Sequence, residues 1–351
     1  MRTDVSTTAM DNITAVILAA GKGTRMKSDT AKVLHELFFK PMLHHVMDTV
    51  QAADISRTAV IVGHQRERVI QCLRDYSFIP VTQEEQLGTG HAVLCAEQVC
   101  GDAGIILILC GDTPLIRTET LNAMIRHHRL MNSELTLMTT VVADPSGYGR
   151  IITDRDGQVR RIVEERDADD RQRQIREINA GIYLANREFL FTALKQVGTG
   201  NSQGEVYLTD IVAIANRQGM AVNRFVHGEP VDVLGINSRV ELARAHAEMQ
   251  RRRNTELMLA GVTMYGPETI LIAQNIQVGR DTIIHPGVRV TGNSRIGSAC
   301  ILEPWVSLHD CEVADNVTVG ARSSLSGVTV QPSRTLPPGT CRDGGTSSSP
   351  C

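Results

Sequence analysis

Lysine is nearly absent from this chain: Lys22, Lys27, Lys32, Lys40 and Lys195 are the only five. There is no excess of positive charge either, since the formal net charge is -3 at pH 7. That balance argues against bulk nucleic-acid binding. No stretch reaches the roughly 18 consecutive apolar residues that a membrane-spanning helix needs, so no membrane association is expected. Residues 1–10 are polar and lack the apolar core of a secretory signal. The eight cysteines show neither Cys-x-x-Cys spacing nor the density of a disulfide scaffold, which predicts reduced thiols in a cytoplasmic protein. What remains is 351 residues with 42% hydrophobic and 21% charged content, enough for two domains or one large domain with an extension.

The first half alternates short apolar runs with amphipathic segments. Residues 13–20, 58–63 and 105–110 are rich in Val, Ile and Leu, as buried parallel strands are. Leu43, Val46, Met47 and Val50 form a helical stripe behind Pro41. Residues 65–73 and 91–99 fill two further helical slots. This series predicts an α/β fold with a Rossmann-like, doubly wound and mostly parallel sheet. Ligands in such sheets sit beyond the carboxyl ends of the strands. Further strands are expected at 135–142, 159–164 and 175–185, with helices near 186–197 and 209–218.

Ser238 opens a long helical stretch to about Gly261, read as a linker with Glu241 as a capping-box partner. Beyond it, Ile272, Val278, Ile284, Val290, Ile296, Leu302 and Leu308 recur every sixth residue, and the register slips by one to Val313, Val319 and Leu325. A hexad repeat predicts a short parallel β-helix of about three coils. The expected domains are therefore an extension at 1–12, a nucleotide-binding domain at 13–236, a linker helix at 237–262, a β-helix at 263–330 and a disordered tail at 331–351.

Chemistry concentrates at the strand ends. Leu18-Ala19-Ala20-Gly21-Lys22-Gly23-Thr24-Arg25-Met26 offers close backbone approach, N–H groups for phosphate oxygens and two fixed cations. It is neither the dinucleotide fingerprint nor a Walker A loop, and taken alone it also reads as a glycine turn with solvated charges. Gln83 to His91 sets amide side chains, suited to a base edge, before a second glycine turn. Asp112 follows a strand directly, where a hard cation bridging phosphates could sit; as a lone Gly-Asp it reads equally well as a turn organiser. The segments around Gly149, Glu164 and Asn179 are individually weak, and Asn237 is equally a residue before a helix cap.

Together, their order and wording closely resemble the N-terminal uridylyltransferase domain of the bacterial bifunctional enzymes that make UDP-N-acetylglucosamine, a cell-wall precursor. The resemblance runs from about Thr14 to Gly261. Residues 18–26 mark the wider sugar nucleotidylyltransferases, while 85–92, 148–151 and 177–182 narrow the match. It implies transfer of UMP from UTP to N-acetylglucosamine-1-phosphate. Lys22, Arg25 and Lys32 would be catalytic, holding phosphates. Leu18, Ala19, Ala20, Gly21, Gly23, Gln83, Gly88 and Thr89 would bind nucleotide. Thr89, Gly149, Glu164 and Asn179 would hold the sugar, and Asp112 and Asn237 would bind Mg²⁺. Left-handed β-helices of this family assemble as trimers, so the resemblance allows a homotrimer through the β-helix, but about three coils expose little surface for it and the oligomeric state stays open.

Three positions depart from the family pattern: Cys110 stands where a tyrosine or another polar group is common, Ala31 replaces a proline, and Ser238 replaces an asparagine. The acetyltransferase motifs of the family are not found and the hexads span only about three coils, so the family's acetyltransferase part is expected to be largely missing and acetyl transfer absent. Two other readings stay open on sequence: a nucleotidylyltransferase for a different nucleotide or sugar, and a non-catalytic module that binds a nucleotide sugar.

Overall fold

The structure is a computed structural model and describes residues 13–344; the expected extension at 1–12 lies outside them. The chain divides into two compact units, one running through Glu36 and from Lys40 to Arg239, the other taking Leu37–Phe39 and the chain from Val240 on.

The first unit is built on a nine-stranded sheet. Its strands are β1 (Ile13–Leu18), β2 (Arg57–Val62), β3 (Ile79–Thr82), β4 (Ile105–Cys110), β5 (Leu135–Val141), β6 (Arg150–Thr153), β7 (Val159–Val163), β8 (Glu177–Asn186) and β9 (Val222–His227). The main path is β9-β5-β8-β4-β1-β2-β3, with β6 pairing β8 and β7 off that path. β4, β1, β2 and β3 are parallel, and β8 is antiparallel to both β4 and β5. The helices are α1 (Met42–Ala52), α2 (Arg66–Cys72), α3 (Thr89–Leu94), α4 (Thr118–Leu130), α5 (Asp170–Arg173), α6 (Arg187–Leu194) and α7 (Ile211–Arg217).

Strand alternation sends successive apolar side chains to opposite faces, which is why both faces are covered. Val16, Ile61, Ile106 and Ile108 pack with residues of α3, α6 and α7. Ala15, Ile17, Val60, Leu107 and Leu109 pack with α1, α2 and α4. This is the doubly wound fold expected. One boundary differs: the helix placed at 91–99 spans Thr89–Leu94, and the chain continues in turns closed by bonds such as Ala96 N–H to Val93 O (2.9 Å) and Cys100 N–H to Ala96 O (3.1 Å).

The second unit is a left-handed β-helix of three parallel sheets, with five, five and four strands. All the hexad residues named above are buried except Val278, which is half-buried. A second inward ladder lies two residues earlier and includes Ile270, Ile276, Thr282, Val288, Ser294 and Cys300. Coil length is 18 residues at first, as in Ile272↔Val290↔Leu308, and then falls to 17, as in Leu308↔Leu325.

The expected disordered tail is corrected over residues 331–344, where Thr335–Leu336 and Cys341–Asp343 extend two of the sheets as Thr329–Val330 extends the third; the rest of that tail, 345–351, lies outside the described residues. Val330 pairs with Val313 and Leu336 with Val319. A second one-residue slip, between Leu325 and Val330, takes these strands off the six-residue spacing. Arg342 at the next inward register and the Pro337–Pro338–Gly339 corner then hide them from a composition-based reading.

Helix α8 (Arg239–Leu259) is more than the linker expected. From Val240 on it belongs to the second unit, burying Gln250, Arg253, Asn254 and Leu257. Gln250 donates to the carbonyls of Glu268 and Ile270, both at 2.8 Å, and Asn254 to those of Pro267 (2.7 Å) and Ile270 (2.9 Å). Arg253 donates to Ile276 O. Because the buried face is polar, no apolar stripe announces it. Among the cysteines, Cys72, Cys95, Cys100, Cys110, Cys300 and Cys311 are free thiols, whereas Cys341 is disulfide-bonded, which the sequence reading did not anticipate.

Candidate active site at the strand ends

Because β4, β1, β2 and β3 run parallel side by side, their carboxyl ends share one edge. A cavity of about 320 Å³ opens there, lined by Leu18, Ala19, Ala20, Gly21, Lys32, Gln83, Gln86, Gly88, Thr89, Cys110 and Asp112, with Glu205 at its side. Seven of the eight expected nucleotide residues thus converge; Gly23 does not line the cavity. Its role is local. Gly23 has φ +64, and a Cβ there would lie 2.5 Å from Lys32 Cβ, so glycine lets the lysine stem lie against the loop. Gly88 is similarly constrained, with φ +108 and Val206 O 2.6 Å from a would-be Cβ.

Two amides fasten the loops. Gln86 Nε2 donates to Ala20 O (2.8 Å); Gln83 is buried, and its Nε2 donates to Gly88 O (3.1 Å) beside His91 Nδ1. Ala31, at a position where the resemblance suggests proline, donates its N–H to Gln65 Oε1 (3.1 Å), a bond that proline could not make. Lys22 and Arg25 are exposed. Arg25 reaches towards the next loop, its Nη1 3.7 Å from the Cβ position of Gly147.

Asp112 and Asn237, 125 positions apart, meet through one cation. Lys32 Nζ bonds both Asp112 Oδ2 and, at 2.9 Å, Asn237 Oδ1. Backbone geometry brings them together: Ile236 N–H donates to Asp112 O (2.8 Å), and a Cβ on Gly235 would lie 3.3 Å from Asp112 Oδ1. Two oxygens therefore converge on an ammonium group. No cluster of three or more His, Cys, Asp or Glu able to hold a metal occurs among the described residues. One carboxylate and one amide oxygen nonetheless suit Mg²⁺, which takes few protein ligands and shares substrate phosphates.

Three of the four expected sugar residues, Gly149, Glu164 and Asn179, form one rung where three strands meet. Arg150 pairs with Ile178 and with Val163, which sets their neighbours Gly149, Asn179 and Glu164 side by side. Asn179 N–H donates to Gly149 O (2.9 Å). A Cβ on Gly149 would strike Ile162 at 2.7 Å and lie within 3.5 Å of both Glu164 carboxylate oxygens. A register shift after Asn179 and φ +72 at Gly181 turn the strand here, a bulge of the kind that re-aims side chains.

Glu164 accepts from Thr209 Oγ1 (3.1 Å). Burial first, and then the charges of Asp210 and Asp167, push its carboxyl above the usual range, against the bond from Thr209 and the charge of Arg150. Thr89 joins the two regions: it lines the first cavity, and its Oγ1 accepts Leu208 N–H (3.1 Å), next to Thr209. Cys110 closes β4 with its thiol directed at Gly181 O (3.6 Å), and burial pushes that thiol up to about 12. Sequence reading missed Gln86, Glu205, Thr209 and Arg150. Only Gln86 and Arg150 stood inside a segment it had singled out.

The nucleotidyl transferase family pattern matches residues 14–238, and the chain belongs to that family. It is a sugar-1-phosphate uridylyltransferase of the UDP-N-acetylglucosamine diphosphorylase class. The bifunctional protein GlmU of Desulfotalea psychrophila is 48% identical over 323 residues, 92% of this chain and 95% of its own length. That of Geotalea uraniireducens is 44% identical, covering 94% of this chain and 74% of the relative. The Geobacter sulfurreducens protein is 47% identical, but this chain spans only 64% of its length. The expectation that an acetyltransferase part is largely missing finds no support in the Desulfotalea relative, which is matched almost in full. A Bacillus anthracis structure assigned as a glucose-1-phosphate thymidylyltransferase superposes with a TM-score of 0.54 at 20% identity, over 67% of this chain and 94% of that one; it shares the fold.

Proposed function

We propose that this chain transfers UMP from UTP to N-acetylglucosamine-1-phosphate, releasing pyrophosphate. The observation that carries the proposal is the meeting of Asp112 and Asn237 around one cation, where Lys32 and Asp112 line the same cavity as Leu18–Gly21, Gln83 and Gly88. A phosphate oxygen of the sugar phosphate attacks the α-phosphorus of UTP in line. One P–O bond forms as the bond to the β-phosphate bridging oxygen breaks, and no covalent enzyme intermediate is needed. Catalysis then rests on positioning and charge neutralisation.

In this reading Ala20, Gly21, Gln83 and Gly88 hold the base and ribose. Lys22, Arg25 and Lys32 hold phosphates, and Thr89, Gly149, Glu164 and Asn179 hold the amino sugar. Asp112 and Asn237 hold Mg²⁺, which when bound supplies neutralising charge to the phosphate oxygens. Activity compared across UTP, dTTP, GTP and ATP, with N-acetylglucosamine-1-phosphate or glucose-1-phosphate and with or without Mg²⁺, tests the reading. Preference for another pair would replace it. Asp112→Ala should lose roughly 10²-fold in rate, about 3 kcal/mol of barrier, and near-normal pyrophosphate release would remove Asp112 from the site.

Absence of acetyl transfer also belongs to this proposal. His309 is exposed and pairs with Asp310 at 3.1 Å, and half-buried His285 lies tilted against the Tyr265 ring; among the described residues neither sits in a set of groups built for acyl transfer. Turnover of glucosamine-1-phosphate with acetyl-CoA would overturn it.

A further inference from the structure

The largest fully buried side chain of the first unit carries a charge. Arg150 is 1% exposed, yet none of the roles above uses it. Its guanidinium donates to Tyr148 O through Nη1. Through Nη2 it donates to Glu165 Oε2 at 2.7 Å and to Arg173 O at 3.4 Å. Glu165 Oε2 also accepts the N–H of Gly147 at 3.0 Å. One ion pair, its guanidinium buried and its carboxylate half-exposed, thus holds both ends of the loop Gly147–Gly149 and ties it to the end of α5. Nε has no partner among the described residues, so the group is not optimised for stability alone. Burying a guanidinium is costly and often no better for stability than apolar packing; its use here is geometric.

We propose that Arg150 is a positioning residue for the sugar half of the site: through Tyr148 O and Glu165 it fixes the rung Gly149–Glu164–Asn179 without touching substrate. The proposal rests on the reading of that rung as the sugar site. Arg150 stands in register with Ile178 and Val163, the immediate neighbours of Asn179 and Glu164. A shift of its backbone therefore moves Gly149 against both. The guanidinium charge also counters the forces that raise the Glu164 carboxyl, so its loss should protonate Glu164 at higher pH.

Three variants of the full chain test this: Arg150→Met, Arg150→Lys and Glu165→Ala. The expected result for Arg150→Met is a KM for the sugar phosphate raised about tenfold or more, with the KM for UTP within about twofold of the parent. Its acidic limb in the pH profile should move up, and the lysine should recover part of both effects. If the buried methionine prevents folding, Glu165→Ala carries the test, because it releases Gly147 from a partly exposed position. An unchanged sugar KM in the soluble variants overturns the proposal. So does a parallel rise in both KM values, which a merely structural role would give. Glu164→Gln and Asn179→Ala are the controls: if neither raises the sugar KM, it is the sugar-site reading that has failed.

Discussion

Lys32 does two things at the residue scale that cannot be done at once. Its ammonium sits on Asp112 and Asn237, while the proposed reaction needs it on a phosphate. A metal ion entering between those oxygens competes with the lysine, and the attraction of two like charges to one carboxylate cannot be additive. Lys32→Met should therefore abolish most turnover and yet tighten Mn²⁺ binding to the nucleotide-free enzyme severalfold, read by the free Mn²⁺ signal in electron paramagnetic resonance. Unchanged or weaker binding would show that the lysine does not compete.

Glu164 supplies the pH dependence. Burial raises its pKa, so the carboxylate needed to accept sugar hydroxyls is lost at a higher pH than for an ordinary glutamate. The acidic limb of kcat/KM for the sugar phosphate should lie above the usual carboxylate range and should disappear as a Glu164 titration in Glu164→Gln. For folding, the sign runs the same way as for any raised group. The protonated form is favoured in the fold, and that contribution is lost as pH rises through the folded pKa. At the strand ends glycine, lysine and aspartate stood out as candidates on physical grounds, and the roles assigned to them came from the resemblance. Which of them touch was not legible: the pairs Lys32–Asp112 and Lys32–Asn237 span 80 and 205 positions.

At the scale of elements, the buried strands β1, β2 and β4 could be read nearly to the residue, because both their faces are apolar. β3, with Pro80 and only Val81 buried, lies at the sheet edge and gives no such signal. The hexads were legible for as long as their spacing held. They failed after Leu325 because a 17-residue coil breaks a six-residue count and Arg342 breaks the apolar identity. The inward ladder behind them went unread because Thr282, Ser294 and Ser323 are polar, their hydroxyls donating to Gly297, Thr291 and Gly320 carbonyls at 2.6–2.8 Å. Leu308, fully buried at mid-stack, is the position to probe. Leu308→Ala should cost about 2–5 kcal/mol, seen as a lower urea midpoint for the β-helix unit. A shift under about 0.5 kcal/mol would mean that the coil collapses around the gap.

For the whole molecule, all the proposed nucleotide, sugar and metal residues come from the first unit, between Leu18 and Asn237. If the second unit assembles the chain as a trimer, sedimentation should show mass falling with dilution, while specific activity stays constant across the same range. Activity that falls as the assembly separates would mean that a neighbouring chain completes the site.

The buried amides of α8 bear on assembly in a different way. In a stack of parallel coils each strand's carbonyls accept from the coil before, so the first coil offers a row of acceptors with nothing behind it, an invitation to end-to-end growth. Gln250, Asn254 and Arg253 occupy the carbonyls of Pro267, Glu268, Ile270 and Ile276. The helix thereby does the work of a missing coil, and this end of the stack is closed to fibre formation.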